Sequence, residues 1–294
     1  MTDVRPVSEF LGTSPPRVAQ LWLHPIKSAA GISVLELTLD ALGAEGDRRW
    51  MLVTPDGTMI TARSTPAVVL IHPEFVTADR GGALRLTAVG SPPLAVSVND
   101  EVPVQTVRVW DDAVLVRDAG DTAAVWCSAV IGSPCRLVRL HEPSGRPVEP
   151  RYTGPVDPAQ REVMLSDGAP LLLLGQGSVD ALNVRIAAQD QASAPVMSER
   201  RFRANIVLAG TTAHEEDTWS AITIGDVTIG IGDPCARCVF TTVDPDTAAT
   251  GREPLRTLAE YRRQDGKVQF GMNATHAAPG TIRVGDAVRV IRRR

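Results

Sequence analysis

Short segments of alternating apolar residues, cut by glycine and proline, run through the first half of this chain and leave it few possible folds. Val68–Val76, Ala83–Val89, Ala95–Val98, Val102–Trp110 and Ala113–Val116 follow one another at regular spacing. Such segments fit a pleated, half-buried surface, and their spacing predicts an all-β, barrel-like region. Val18–His24 and Val34–Leu39 alternate in the same way. Pro55-Asp56-Gly57 reads as a hairpin turn between Arg48–Val53 and Met59–Arg63. Leu171–Leu174 is apolar throughout, the signal of a buried strand. Helical patterns are few: Asp121–Ile131, Val179–Ala188 and a short one after Glu253-Pro254. The fold expected is mainly β with a few helices.

Charge and composition exclude several classes of function. The 294 residues carry a net charge of −4, so no global basic field exists to hold nucleic acid or an anionic membrane. Any anion site must be local. Four cysteines in a chain of this size do not form a disulfide framework. No stretch approaches the ~20 apolar residues that span a bilayer, and Met1–Pro16 lacks the apolar run of a signal peptide. The compartment expected is the cytoplasm.

The stretch richest in chemistry is Asp233-Pro234-Cys235-Ala236-Arg237-Cys238-Val239-Phe240-Thr241-Thr242-Val243-Asp244-Pro245-Asp246-Thr247. A thiolate is a soft metal ligand and a strong nucleophile. An arginine beside it favours the charged form. Taken alone, the cysteine pair also fits half a zinc site completed by Cys127 and Cys135, a thioredoxin-like pair, or two core thiols. The eight-residue interval between Cys127 and Cys135 is wrong for a zinc knuckle. The β-branched run Val239–Val243 reads as a strand, where a thioredoxin-like pair would open a helix. Asp244 and Asp246 read as turn residues.

Other candidates lie elsewhere. Lys27 and Ser28 follow a strand and could hold an anion. Arg200, Arg201 and Arg203 form the densest basic cluster. Ser178 reads as the N-cap of a helix whose glycine-preceded start would suit a phosphate. Arg63 reads equally as a substrate-mouth residue or as half of a surface ion pair. The segment 141–162 holds five prolines and two glycines and reads as a linker or long surface loop.

Cys-Ala-Arg-Cys followed by Thr-Thr-Val-Asp-Pro-Asp-Thr resembles the signature of MOSC-domain proteins, the group that includes the mitochondrial amidoxime-reducing component and its bacterial relatives. The resemblance runs from about Val18 to Val290 and takes in Pro25-Ile26-Lys27-Ser28, Asp47-Arg48-Arg49-Trp50, Thr61-Ala62-Arg63, Phe202-Arg203-Ala204-Asn205-Ile206-Val207 and Glu216-Asp217-Thr218-Trp219. It departs at Gly175, where the family carries the first serine of a Ser-x-x-Ser pair. The resemblance implies an N-terminal β-barrel domain over 16–140 and a β-barrel MOSC domain over 163–294, with 1–15 a loose tail and 141–162 a linker. It implies a molybdopterin cofactor whose metal is bound by Cys238. Lys27, Ser28, Arg48, Ser178, Arg203, Asn205 and Arg237 are then the residues expected to clamp its phosphate and pterin. The activity implied is reduction of N-hydroxylated or N-oxide compounds. Electrons would come from a separate flavin, heme or ferredoxin-type protein, since the chain shows no heme or flavin signature. The alternative is a carrier of the cofactor, or of sulfur held on Cys238.

Overall fold

The computed structural model describes residues 15–294 apart from 77–79, 81, 160–161 and 191–195; the expected tail lies outside the described residues except for its last position. Strands dominate, as the alternation predicts. Three α-helices stand among the described residues: α1 (Asp121–Ile131), α2 (Gln176–Asp190) and α3 (Leu255–Tyr261).

Among the described residues the largest sheet has nine strands. Eight run in the order Ile32–Val34, Arg17–Leu23, Ile206–Ala209, Leu171–Gly175, Lys267–His276, Val227–Arg237, Trp219–Ile224, Val288–Arg293, and Arg263–Gln264 adds a short ninth beside Lys267–His276. Its two ends approach each other: Arg17 bridges Ala287, and Val288 N donates to Pro16 O at 2.8 Å. The sheet is therefore a nearly closed barrel, which leaves little exposed edge. Leu171–Gly175 and Ile206–Ala209 are parallel, so a crossover must join them, and α2 supplies it.

Burial on both faces explains the unbroken apolar run in this strand. Leu171 and Leu173 pack into the barrel interior with Ile206, Leu208 and Met272. Leu172 and Leu174 pack outward beneath α2 and α3, against Val179, Leu182, Ile186 and Leu258. With period-two geometry each neighbour faces a different core, so no polar position is left. Each such leucine contributes about 1.5–3 kcal/mol by leaving water.

The first described strands pair with strands from the second half of the chain. Leu21 stands opposite Ile206, and Gly280–Arg283 pairs with Glu36–Asp40. A five-stranded sheet (Val104–Val109, Asp112–Asp118, Arg136–Leu140, Trp50–Val53, Met59–Ile60) and a three-stranded one (His72–Phe75, Ala83–Ala88, Ser91–Ser97) complete the N-terminal region, with α1 packed on them.

Two expected strands are otherwise. Val68–Val76 begins as a 3-10 turn, Pro66–Leu70, and becomes strand only at His72. Proline at the first turn fixes the helical φ there, and Val68 and Val69 are buried. Val239–Val243 is a 3-10 turn over Val239–Thr242. Thr241 Oγ1 donates to Cys238 O at 3.0 Å and Thr242 Oγ1 to Val239 O at 2.8 Å. These local bonds satisfy carbonyls that a strand would have paired with a neighbour.

Within the described part of segment 141–162, Ser144 and Arg146 are buried. Arg146 donates to Met164 O at 2.6 Å and to Asp112 at 2.7 Å. Tyr152 lies against Gly232, where an added Cβ would meet its backbone carbonyl carbon at 2.3 Å, so only glycine allows this approach.

Candidate functional site

A cleft of about 270 Å³ opens where the strand ends at Leu171, Asn205 and Arg237 meet segments from the N-terminal region. Among the described residues six cationic side chains line it: Lys27, Arg48, Arg63, Arg201, Arg203 and Arg237. Among the described residues Asp167 is the one carboxylate in that lining, and Cys235 and Cys238 are both present. An acidic chain thus concentrates positive charge at one place.

The backbone is shaped for this. Ser28, Arg48 and Arg203 all adopt left-handed φ, at 68°, 49° and 56°. Non-glycine residues take this conformation only where the surroundings enforce it, and such residues cluster at binding sites.

Each cation is held by carbonyls and carboxylates behind it. Lys27 Nζ donates to Leu165 O at 2.7 Å and to Asp167 Oδ1 at 2.5 Å. Burial lowers the Lys27 pKa, and Asp167 opposes that shift. Arg48 bonds to Asp47, to Asn205 Oδ1 at 3.0 Å and to Arg203 O at 3.0 Å. Arg203 donates to Ala29 O, and its pKa is lowered to about 9, by burial first and then by the Arg48 charge. Two guanidinium groups brought close in one cleft are stabilised by any anion that enters.

Asn205 works from behind. Its Oδ1 accepts from Leu172 N at 3.1 Å and from Arg48, and its Nδ2 donates to Trp22 O at 3.1 Å. Its amide therefore fixes Arg48 and joins three strands. Arg237 donates to Phe270 O at 2.7 Å and to Phe202 O at 3.1 Å, while its Nη2 is buried with no partner. A buried donor with no protein partner in a cationic cleft is free to serve an anion.

Cys238 stands at the N-cap position of the 3-10 turn, and its Sγ accepts from Arg63 Nε at 3.0 Å. The arginine against the sulfur is thus Arg63, not the sequence neighbour Arg237. Arg63 Nη2 also donates to Asp167 Oδ2 at 2.6 Å. Arg63 is both a cleft residue and half of an ion pair, which the sequence left as alternatives. Although burial opposes it most strongly, the charges of Lys27 and Arg63 hold the Asp167 carboxyl well below the usual carboxylate range. Burial pushes the Cys235 thiol up. Cys127 and Cys135 lie in the N-terminal core beside α1, apart from Cys235 and Cys238, and burial raises the Cys127 thiol to about 12.

Ser178 is not with the others. It stands within the first turn of α2 rather than at its cap, fully buried, and its hydroxyl donates to Glu216 at 2.7 Å. The Glu216 carboxylate also accepts from Gly175 N at 3.1 Å. This helix start already holds a carboxyl group of its own, so its donors are taken. Gly175 makes the room: a Cβ there would meet Glu216 Oε2 at 2.7 Å.

Arg200 and Arg201 are largely neutralised. Arg200 pairs with Asp246 at 2.9 Å and Arg201 with Asp244 at 2.7 Å. Asp244 Oδ1 also accepts from the backbone of Asp246 and Thr247. The two aspartates therefore order their own turn and pin the basic segment onto it. Sequence reasoning assigned no role to Asp167 or Tyr152, which both line the cleft. A lone aspartate in a Ser-Asp-Gly turn and a lone tyrosine in a proline-rich loop carry no periodicity or spacing that would flag them.

Fold and site together define a class: a barrel protein that presents two thiols, Cys235 and Cys238, in a cationic cleft. The chain belongs to the MOSC-domain family. Residues 15–134 match the MOSC N-terminal beta barrel domain and residues 160–289 the MOSC domain. It is 37% identical to mouse (Mus musculus) mitochondrial amidoxime-reducing component 1 over 287 residues, covering 92% of this chain and 81% of that protein. The human (Homo sapiens) protein of the same name is 36% identical, with 92% and 82% covered. Zebrafish (Danio rerio) molybdenum cofactor sulfurase is 32% identical over 88% of this chain, though over only 32% of that longer protein. Among the described residues no helix is long and apolar enough to cross a membrane.

Proposed function

We propose that this protein reduces N-hydroxylated or N-oxide compounds at a molybdenum–molybdopterin cofactor held in the cationic cleft. Cys238 carries the reading: it is a partly exposed thiol in a pocket lined by six cations. The residues fit such a group. A pterin phosphate is an anion: it would ease the burial that lowers the Arg203 pKa and give the unpartnered Arg237 Nη2 an acceptor. The cofactor brings its own sulfur donors, so a single protein thiolate suffices, in the manner of the sulfite-oxidase type. Among the described residues no cluster of three or more His, Cys, Asp or Glu side chains could hold a bare metal ion instead.

Cys238 would ligate the metal. Lys27, Ser28, Arg48, Arg203 and Arg237 would hold the phosphate and pterin, with Asn205 keeping Arg48 in place. The bound group supplies the two-electron chemistry that removes oxygen from nitrogen. The chain's own part is to bind and orient. Arg63 fixes the sulfur and Asp167 fixes Arg63. Electrons would come from a separate flavin, heme or ferredoxin-type protein. The names of the mouse and human relatives support the substrate class. The cytoplasm remains the proposed compartment, although those relatives bear mitochondrial names.

The test is metal and pterin analysis of protein made in a cofactor-competent host, followed by chemical reduction and addition of a hydroxylamine, an amidoxime or an N-oxide. Stoichiometric molybdenum with substrate-dependent reoxidation, both lost in Cys238→Ser, is the expected result. Zinc in place of molybdenum, or no reoxidation by any of the three, refutes the proposal. Similarity to a cofactor sulfurase favours a second reading, a carrier. Full molybdenum occupancy without turnover would point to that.

A further inference from the structure

Trp110 belongs to none of the motifs above, yet its side chain lies at the rim of the cleft. It is the first residue of the two-residue turn that joins Val104–Val109 to Asp112–Asp118. Its backbone is left-handed, with φ 56°. Tight hairpins favour glycine, asparagine or aspartate in that conformation, so an indole here is locally disfavoured.

The side chain makes contacts at the cleft. Its Nε1 donates to Asp167 Oδ1 at 3.2 Å. The Arg63 guanidinium sits over its ring, with Cζ 4.4 Å from the centroid, and Lys27 Nζ stands 5.9 Å away. These three partners all line the cleft, and Arg63 is the residue that touches Cys238. The ring is therefore one guanidinium away from the sulfur.

The hairpin does not need this side chain to hold its shape. Six consecutive residue pairs, from Val104 with Arg117 to Val109 with Asp112, lock its strands, and Arg146 anchors Asp112 at 2.7 Å. Nor is Trp110 core. It is 39% exposed, whereas Trp50, Trp126 and Trp219 are buried. A large, rigid aromatic surface is held at the mouth of a site by contacts that fix its orientation and leave part of it in solvent. Flat π-systems stack on such surfaces, and small saturated molecules gain little from them.

We propose that Trp110 determines specificity: its exposed indole is the platform on which the flat, unsaturated body of an N-hydroxylated substrate stacks while the N–O group reaches toward Cys238. This rests on the reductase reading given above, and the test separates the two. Turnover by the metal-loaded enzyme is compared for benzamidoxime, which has a planar face, and for hydroxylamine, which has none. The variants are Trp110→Ala, Trp110→Phe and Trp110→Gly. Glycine suits the left-handed turn, so it guards against a folding defect in the alanine variant. Binding is measured independently by quenching of tryptophan emission with benzamidoxime, on protein from a host that makes no cofactor.

Trp110→Ala and Trp110→Gly are expected to raise KM for benzamidoxime roughly tenfold, the scale of one aromatic stacking contact. KM for hydroxylamine and both kcat values should stay within about twofold, and Trp110→Phe should recover most of the loss, as stacking alone predicts. Quenching should saturate in the wild type and vanish in Trp110→Ala. Equal KM changes for the two substrates overturn the proposal, and so does the absence of saturable quenching in the wild type. If the loaded wild type turns over neither substrate, the reductase reading falls, and quenching still decides whether the platform exists.

Discussion

Arg63 Nε lies 3.0 Å from Cys238 Sγ, across 175 positions of sequence. The same guanidinium donates to Asp167 at 2.6 Å. A planar guanidinium offers Nε and Nη2 in a fixed fork that meets both partners, a geometry that a single ammonium on a flexible stem does not reproduce. Charge-assisted bonds of this kind contribute about 1.5–3 kcal/mol each.

Arg63→Ala is therefore expected to lower kcat/KM for an amidoxime by about 10- to 100-fold, with Arg63→Lys recovering little. The measurement is turnover per bound molybdenum, so that loss of metal is not mistaken for loss of rate. Full activity in Arg63→Lys would show that only a nearby positive charge matters.

Arg48 and Arg203 stand together in the cleft, and the burial that lowers the Arg203 pKa makes an incoming anion stabilising. Pyrophosphate added to cofactor-free protein should raise Tm beyond an equal ionic strength of sodium chloride. Occupancy at 100 times Kd is worth about 2.7 kcal/mol. Arg203→Gln should abolish most of that shift. An unchanged Tm in the wild type would mean that the cleft is not an anion site.

Glu216 is buried where α2 begins, accepting from Gly175 N and Ser178 Oγ. Glu216→Ala strands both donors and should destabilise the fold by about 2–3 kcal/mol in urea denaturation. Gly175→Ala should also destabilise, because its Cβ would meet Glu216 Oε2 at 2.7 Å. If Gly175→Ala proved neutral, the carboxylate would not be the reason for glycine here.

His24 is buried, and its pKa is held well below the ordinary imidazole value by burial first and then by the charges of Arg203 and Arg48. The folded protein keeps this ring neutral, while the unfolded chain takes up a proton near pH ~6.5. The unfolded state thus binds more protons below that pH, and stability falls on acidification, by at most about 1.4 kcal/mol per pH unit. His214 and His276 are lowered too and act in the same direction. Tm should drop between pH 7.5 and 5.5, the interval that brackets the ~6.5 imidazole value, and less steeply in His24→Gln. An identical slope in the variant would remove His24 from the account.

Much of the architecture was legible because period two, proline and glycine act locally. The alternation in Val18–His24 and the apolar Leu171–Leu174 run gave the strands. The thiol-bearing stretch and its cationic partners were legible as chemistry, and Lys27, Ser28, Arg48, Arg203 and Arg237 do converge on one cleft with Cys238. What could not be read was which groups satisfy one another. Thr241 and Thr242 look like strand residues until their hydroxyls are seen bonding back to the turn.

The sequence by itself determined the β-rich class and the absence of a global basic field, since these depend on composition and local pattern. Only the tertiary structure decided that Arg63 rather than Arg237 meets the sulfur, that Glu216 takes the helix start where Ser178 was expected to serve a phosphate, and that Asp167 and Trp110 stand at the cleft. Those facts are pairings between residues far apart in the chain. Which donor meets which acceptor is settled when the strands close into a barrel and buried polar groups must find partners.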